Sequence, residues 1–353
     1  MTAEEQPLSS PAAHDGRRAA AEAAVNDILQ GAWKARAVHA AVDLGIPELL
    51  EKGPRPVAEL AAASGADESA LRRLLVLLST IGIFRAEDDG ETFGHSGLSE
   101  VLLPDPASPV ATDARFQAAP WHWRAWEQLT YSIRTGKASF EEANGTSFWD
   151  LTRDDDTARE LFNRAMGSVS LAESRQVAAA YDFSGSRLVV DIGGGRGSML
   201  AAVLDTSPRT RGILLERPAV AEEARELLDG RGLLGRCEIV PGDFFTTVPD
   251  GADLYLIKHV LHDWTDADIV AILRRVHDAM TAESTLLVID NLLDDRPTAS
   301  TLCVDLLLLV LVGGAERSLA GFTALLAQAG LAVRRSFSCG PGPLRLVEIR
   351  RAD

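Results

Sequence analysis

Basic side chains are in short supply. The 353 residues carry 35 Lys and Arg against 51 Asp and Glu, a net charge of −16. A surface that negative repels phosphate backbones and anionic lipid heads, which argues against nucleic acid and membranes as partners. Cysteine is scarcer still. Cys237, Cys303 and Cys339 are odd in number and unclustered, so they offer neither a disulfide framework nor a metal site, and they fit a reducing compartment. Long apolar runs are missing too: the longest, Leu306 to Val312, is seven residues, where a bilayer needs ~20. The opening MTAEEQPLSS has no basic stretch followed by an apolar one, so an export signal is not expected. What is present, 46% apolar and 24% charged residues, is ordinary for a folded chain. At roughly 150 residues per domain the length suggests two. The expectation is a cytoplasmic enzyme or a large ligand-binding protein.

Residues 1 to about 18 read as loose. From Ala19 to Leu50 apolar residues recur at helical spacing (Val25, Ile28, Leu29, Trp33, Ala37, Val38, Ala41, Leu44) until Gly45 and Pro47 interrupt them. A short helix from Pro56 closes at Gly65. Asp67 caps another, with Leu71, Leu74, Leu75 and Leu78 on its apolar face. Ile83–Arg85, the turn Asp89-Gly90 and Glu91–Phe93 read as a hairpin. Helix, helix, hairpin is the order of a winged helix-turn-helix. As a DNA reader it is badly charged: residues 1–103 hold sixteen acidic and nine basic side chains, net −7, with Arg72 and Arg73 alone on the would-be recognition helix. A packing or dimer-forming module fits better.

Pro104, Pro106, Pro109 and Pro120 mark a boundary-like stretch, giving domains at 1–105 and 106–353. The second opens with a helical segment, 106–184. It is rich in aromatics (Trp121, Trp123, Trp126, Tyr131, Phe140, Phe148, Trp149) that form core or wall a pocket for a flat ligand. From residue 185 strands alternate with helices: 188–192, 212–216, 237–240, 254–257, 285–290 and 345–349. Continuous apolar strands separated by amphipathic helices such as Ala219–Leu228 and Ala267–Met280 imply a doubly wound α/β domain with a parallel sheet buried on both faces.

The first of these strands runs into Asp191-Ile-Gly-Gly-Gly-Arg-Gly-Ser. Four glycines in five residues let a ligand press against main-chain N–H groups at a helix start. A dinucleotide fingerprint from Gly193 would need glycine where Ser198 stands, and Asp191 suits a positive ligand better than a pyrophosphate. Glu216 ends the second strand, at the usual place for an acid that accepts from a ribose diol. Asp243 and the flat Phe244 follow the third. Together these describe a nucleoside held by carboxylates. After the fourth strand come Lys258, His259, His262, Asp263 and Trp264. His262 is the candidate base near neutral pH, and His259 is expected to pack beneath the loop.

The series Asp191-Ile-Gly-Gly-Gly-Arg-Gly, Glu216-Arg-Pro, Gly242-Asp-Phe-Phe, Lys258-His-Val-Leu-His-Asp-Trp and Gly313-Gly-Ala-Glu-Arg-Ser resembles the S-adenosylmethionine-dependent O-methyltransferases of small molecules. These include the plant caffeate and isoflavone enzymes and bacterial natural-product and polyketide enzymes. The resemblance spans nearly the whole chain, and Leu-His-Asp-Trp at that distance from the glycine loop is its most specific motif. It implies a Rossmann-like catalytic domain behind an N-terminal, mainly helical, winged-helix-like dimerisation domain, and a homodimer with Trp33, Val38, Ala41 and Leu44 in the contact. It implies S-adenosyl-L-methionine as cofactor, bound by Asp191, Gly193, Gly195, Gly197, Glu216, Asp243, Phe244, Lys258 and Arg159. It implies His262 as the base, braced by Asp290 and Glu316, although Asp290 often stands as a longer Glu in the family. Phe162, Met166, Trp264, Leu308 and Val312 would line the acceptor pocket for an aromatic or polyketide-like molecule. No metal is implied. The competing readings are N- or C-methylation or a repurposed cofactor binder, a nicotinamide-dependent oxidoreductase, and a winged-helix regulator.

Overall fold

The computed structural model describes residues 11–104, 109–293, 297–340 and 342–352. Pro106, the boundary expected at 105/106, and residues 1–10 lie outside these. The chain divides into two compact units, residues 1–105 with 113–118, and 106–112 with 119–353.

In the first unit the opening helix is longer than its periodicity suggested, Pro11–Asp43, so residues 11–18 belong to it. Gly45 ends it with a left-handed backbone, and a short helix, Ile46–Leu49, follows. Strand β1 (Arg55–Pro56) leads into helix Val57–Ser64. Asp67 then accepts a hydrogen bond from the Ala70 N–H and caps helix Glu68–Thr80. Strands β2 (Phe84–Ala86) and β3 (Thr92–His95) form the hairpin, with β1 on the other side of β3. Leu71, Leu75 and Leu78 point into a core with Leu60, Phe84 and Phe93. Arg72 is held by Glu91 at 2.7 Å. The face expected from Trp33, Val38, Ala41 and Leu44 is not one surface. Ala41 is fully buried, and Val38 and Leu44 pack against this same core. The exposed apolar stripe is instead Val25, Ile28, Leu29 and Trp33, with Ile28 75% and Trp33 72% exposed.

In the second unit, short helices lead to the 25-residue helix Asp156–Ala180, capped by Asp155. Strands β4 (Leu188–Ile192), β5 (Arg211–Glu216), β6 (Cys237–Pro241), β7 (Leu254–Lys258) and β8 (Thr285–Leu293) are parallel. The two-residue β9 (Arg317–Ser318) pairs with β8. Apolar side chains on both faces put the two main cores above and below this sheet. It is not wholly parallel. Strands β10 (Leu331–Ser338) and β11 (Leu344–Arg351) join antiparallel, in the order β10-β11-β8-β7-β4-β5-β6. Strand β10 escapes notice in the sequence because it is a half-exposed edge, with Arg334 and Arg335 side by side across a bulge, both paired to Glu348 of β11. Among the described residues no helix is long and apolar enough to cross a membrane.

Candidate active site

Strand order leaves β4 in both directions, β5 and β6 on one side and β7 and β8 on the other. The crevice at the carboxyl ends of β4 and β7 is therefore the switch point where such sheets bind ligands. Of the residues singled out in the sequence, the glycines at 193–197, Glu216, Asp243, Phe244 and Lys258 fall at the carboxyl ends of these strands. Gly193, Gly195 and Gly197 all have positive φ (66°, 58° and 80°), a backbone that L side chains avoid. A Cβ on Gly193 would also lie 3.0 Å from Val260 and 3.4 Å from Phe244. The loop is thus a bare main-chain surface with Phe244 beside it.

Asp191 lies beneath that loop rather than in the crevice. It is fully buried, neither carboxylate oxygen has a hydrogen-bond partner among the described residues, and a Cβ on Gly194 would sit 2.3 Å from Oδ2. Burial pushes its pKa up to about 7 against the pull of Lys258. Glu216 is held by backbone N–H groups: Gly195 donates to Oε2 at 3.0 Å and Arg217 to Oε1 at 2.8 Å. Burial raises its pKa as well. Asp243 is exposed and accepts from the Phe245 N–H at 2.9 Å.

Arg159 is occupied elsewhere. It pairs with Asp156 at 2.6 Å and Glu223 at 3.5 Å, and Glu223 also accepts from Asn163 at 2.9 Å. Trp264 stacks on Trp149 (5.9 Å, 16°) and meets Phe245 and Phe244 edge-on at 4.7 and 6.1 Å. Trp264, expected to line the acceptor pocket, thus packs on Phe244, expected to hold the cofactor. Trp149 also touches Phe162 at 5.9 Å and carries the Arg217 guanidinium 5.3 Å over its ring. Met166, four residues after Phe162, is 41% exposed, Leu308 is buried and Val312 half-buried.

The densest chemistry surrounds His262. Its Nδ1 is 3.1 Å from Asp290 Oδ1 and 3.3 Å from Glu316 Oε1. The shorter Asp290 therefore reaches the imidazole. In the neutral ring Nδ1–H donates to the carboxylates and Nε2 carries the lone pair, with Asp263 Oδ1 no nearer than 3.7 Å. Glu316 is fixed in turn: its N–H donates to Asp305 Oδ1 at 2.8 Å, and Asn291 donates to Oε1 at 3.4 Å. The turn before it, at Gly314 and Ala315, is clamped to the loop that carries His262. The Ala315 N–H donates to the His262 carbonyl at 2.9 Å, and a Cβ on Gly314 would lie 2.0 Å from that oxygen.

His259 is not mere packing beneath the loop. Its ring stacks on His262 (5.2 Å, 21°), its Nδ1 is 3.2 Å from the same Asp290 oxygen, and its Nε2 is 2.9 Å from Glu173 Oε2. Lys258 completes the chain at 2.7 Å from Glu173. Burial drags the His262 pKa down, but Asp290, Glu316 and Asp263 outweigh it and hold it well above the ordinary value. Burial likewise pushes Asp290 up, yet His262 and His259 keep it far below the usual carboxylate range. His259, His262 and Asp290 also stand close enough to share an ion. Since each Nδ1 already faces a carboxylate oxygen at hydrogen-bond distance, we read them as an ion-paired network. Glu173, Trp149, Arg217 and Glu223 were not singled out individually in the sequence. Helical spacing gives no sign of which residue of a 25-residue helix turns to a strand end.

Residues 126–332 match the O-methyltransferase domain family and residues 26–105 the O-methyltransferase dimerisation domain. The chain belongs to the O-methyltransferases and is an enzyme of that class. It is 70% identical over 352 residues, all of both chains, to the mitomycin biosynthesis 6-O-methyltransferase of Streptomyces lavendulae. Among solved structures, the mitomycin 7-O-methyltransferase MmcR superposes with a TM-score of 0.95 at 71% identity, covering 96% of this chain and all of that one. The neocarzinostatin O-methyltransferase NcsB1, solved with S-adenosylmethionine and 2-hydroxy-5-methyl naphthoic acid, gives 0.80 at 34% identity, covering 90% and 95%.

Proposed function

We propose that this homodimeric enzyme methylates a hydroxyl of an aromatic or polyketide-like small molecule in natural-product biosynthesis, using S-adenosyl-L-methionine. The 70% relative makes an intermediate of mitomycin biosynthesis the first acceptor to try. The crevice suits the cofactor: bare glycine backbone at 193–197, the Glu216 carboxylate for a ribose diol, Asp243 and Phe244 for adenine, and Lys258, paired with Glu173, at the end of β7 for the adenosine. Buried Asp191 supports the loop from below, and we assign Arg159 to holding helix 156–180 against Glu223 rather than to the cofactor. When bound, S-adenosylmethionine supplies an electrophilic methyl group on a sulfonium.

The observation that carries the reading is His262, at a strand end with Nδ1 on two carboxylates and Nε2 open. Nε2 takes the proton from the acceptor hydroxyl, whose pKa is ~10 for a phenol. Asp290 and Glu316 fix the tautomer and stabilise the imidazolium that forms. Phe162, Met166, Leu308 and Val312 hold the acceptor, with Trp149 and Trp264 at the junction between the two molecules. Holding both in line contributes on the order of 7–11 kcal/mol at best, and the base ~10²–10⁴-fold more.

The test is incubation with labelled S-adenosylmethionine and a panel of mitomycin-type, phenolic and naphthoate acceptors. An O-methylated product is expected. In wild type kcat should rise with pH through one ionisation above the free histidine value of about 6.5, because the raised pKa keeps His262 protonated below it. His262→Ala should keep cofactor affinity, lose ~10²–10⁴ in kcat and lose that limb. Near-full turnover of an un-ionised phenol by His262→Ala would remove the base assignment.

A further inference from the structure

We propose that His259 is a positioning residue: by sharing Asp290 Oδ1 with His262 it limits how much of that carboxylate serves the base, and Glu173 holds it in place. The inference rests on His262 being the base.

One carboxylate oxygen faces two imidazoles at nearly equal distance, 3.2 Å to His259 and 3.1 Å to His262. The other nitrogen of His259 is fixed by Glu173, whose same oxygen also takes Lys258 at 2.7 Å. His259 is, among the described residues, the one non-glycine with positive φ, 51°. Its own N–H donates to the Ile289 carbonyl at 3.0 Å, one residue before Asp290. A strained backbone tied to the strand that carries the shared acid is the kind of conformation surroundings must enforce. The charged groups facing His262 are Asp290 from β8, Glu316 from the loop before β9, Asp263 from its own loop and His259 stacked on it. Those facing His259 are Glu173 from helix 156–180, Asp290, and Lys258 beside it in the chain.

Burial and Lys258 pull the His259 pKa down, but Asp290 and Glu173 raise it above the ordinary histidine value. A charged His259 then opposes a second positive charge on His262 and competes for Asp290, which makes His262 easier to deprotonate. Without His259, Asp290 Oδ1 would be left to His262 and the Asn291 N–H, which donates to it at 3.0 Å, and would hold the His262 proton more tightly.

The experiment follows the histidines of the full-length, cofactor-free protein by carbon-13 NMR titration, with His262 assigned from His262→Ala, beside kcat–pH profiles. His259→Asn is the main variant, because Asn tolerates a left-handed backbone yet carries no charge. We expect the His262 titration to move up by about one unit and the kcat limb with it, lowering kcat at neutral pH about tenfold, with KM for S-adenosylmethionine unchanged. Glu173→Gln, which leaves His259 in place, should lower the His259 titration and raise that of His262 by less. A His262 titration unmoved in both variants, or a loss of kcat equal at every pH, overturns the proposal. A pH limb that survives in His262→Ala overturns instead the assignment of the base.

Discussion

Replacing Gly314 by alanine tests whether the base loop is held by main-chain contact. The new methyl carbon would stand 2.0 Å from the His262 carbonyl oxygen and within 2.9 Å of Asp263 backbone atoms. No side chain can rotate aside. Either the 313–316 turn lifts, breaking the Ala315 N–H bond to His262, or the 262–264 loop moves with the imidazole. Overpacking costs about 1–3 kcal/mol and the lost hydrogen bond about 0.5–1.5 kcal/mol, so about 1.5–4.5 kcal/mol together. In a unit of this size that lowers Tm by roughly 3–18 °C. A 1 Å displacement of the base would also cost kcat up to about 10²-fold. Gly313→Ala is the control: its φ of 76° adds backbone strain, but the nearest atom to its Cβ is 3.6 Å away, so a cost of about 1 kcal/mol is expected. The assay is Tm by calorimetry with single-turnover rates at saturating cofactor. A Gly314→Ala enzyme with wild-type rate and Tm, or one no worse than Gly313→Ala, refutes the reasoning.

Glu216→Ala should weaken S-adenosylmethionine binding by roughly 1.5–3 kcal/mol, the worth of a hydrogen bond to a charged group; an unchanged Kd by calorimetry removes Glu216 from the ribose site. Ile28→Asp with Trp33→Asp places two charges in the exposed stripe of helix Pro11–Asp43 and should dissociate the homodimer while leaving the buried core of that unit intact. Sedimentation decides, and a double variant that stays dimeric at micromolar concentration sinks the assignment of that stripe.

The parallel strands were legible because they are buried on both faces and read as unbroken apolar runs. Strand β10 was not, since Leu331–Ser338 is an edge whose polarity comes from exposure. The glycine loop, Glu216 and His262 were readable as strand-end residues, where sequence position alone fixes the side of the sheet. Glu173 reaches the same place from a helix, and nothing in its own segment says so; Trp149 was legible only as one of a cluster of aromatics that form core or wall a pocket. The helix Pro11–Asp43 misled in a related way. Its apolar residues repeat along the whole length, but those from Ala37 onward are consumed by their own core, and only Val25 to Trp33 are left outside.

The bulged strand β10 guards one edge of the sheet against other copies of this chain. As the last strand of the sheet it would present open hydrogen-bonding groups to any neighbour, the arrangement from which sheets zip together and fibres grow. The register shift between Val333 and Arg335 breaks the regular spacing such a zipper needs, and two adjacent guanidinium groups stand along it. Stacking of copies through this edge is thereby opposed, whereas a two-fold pair closes on itself without needing it.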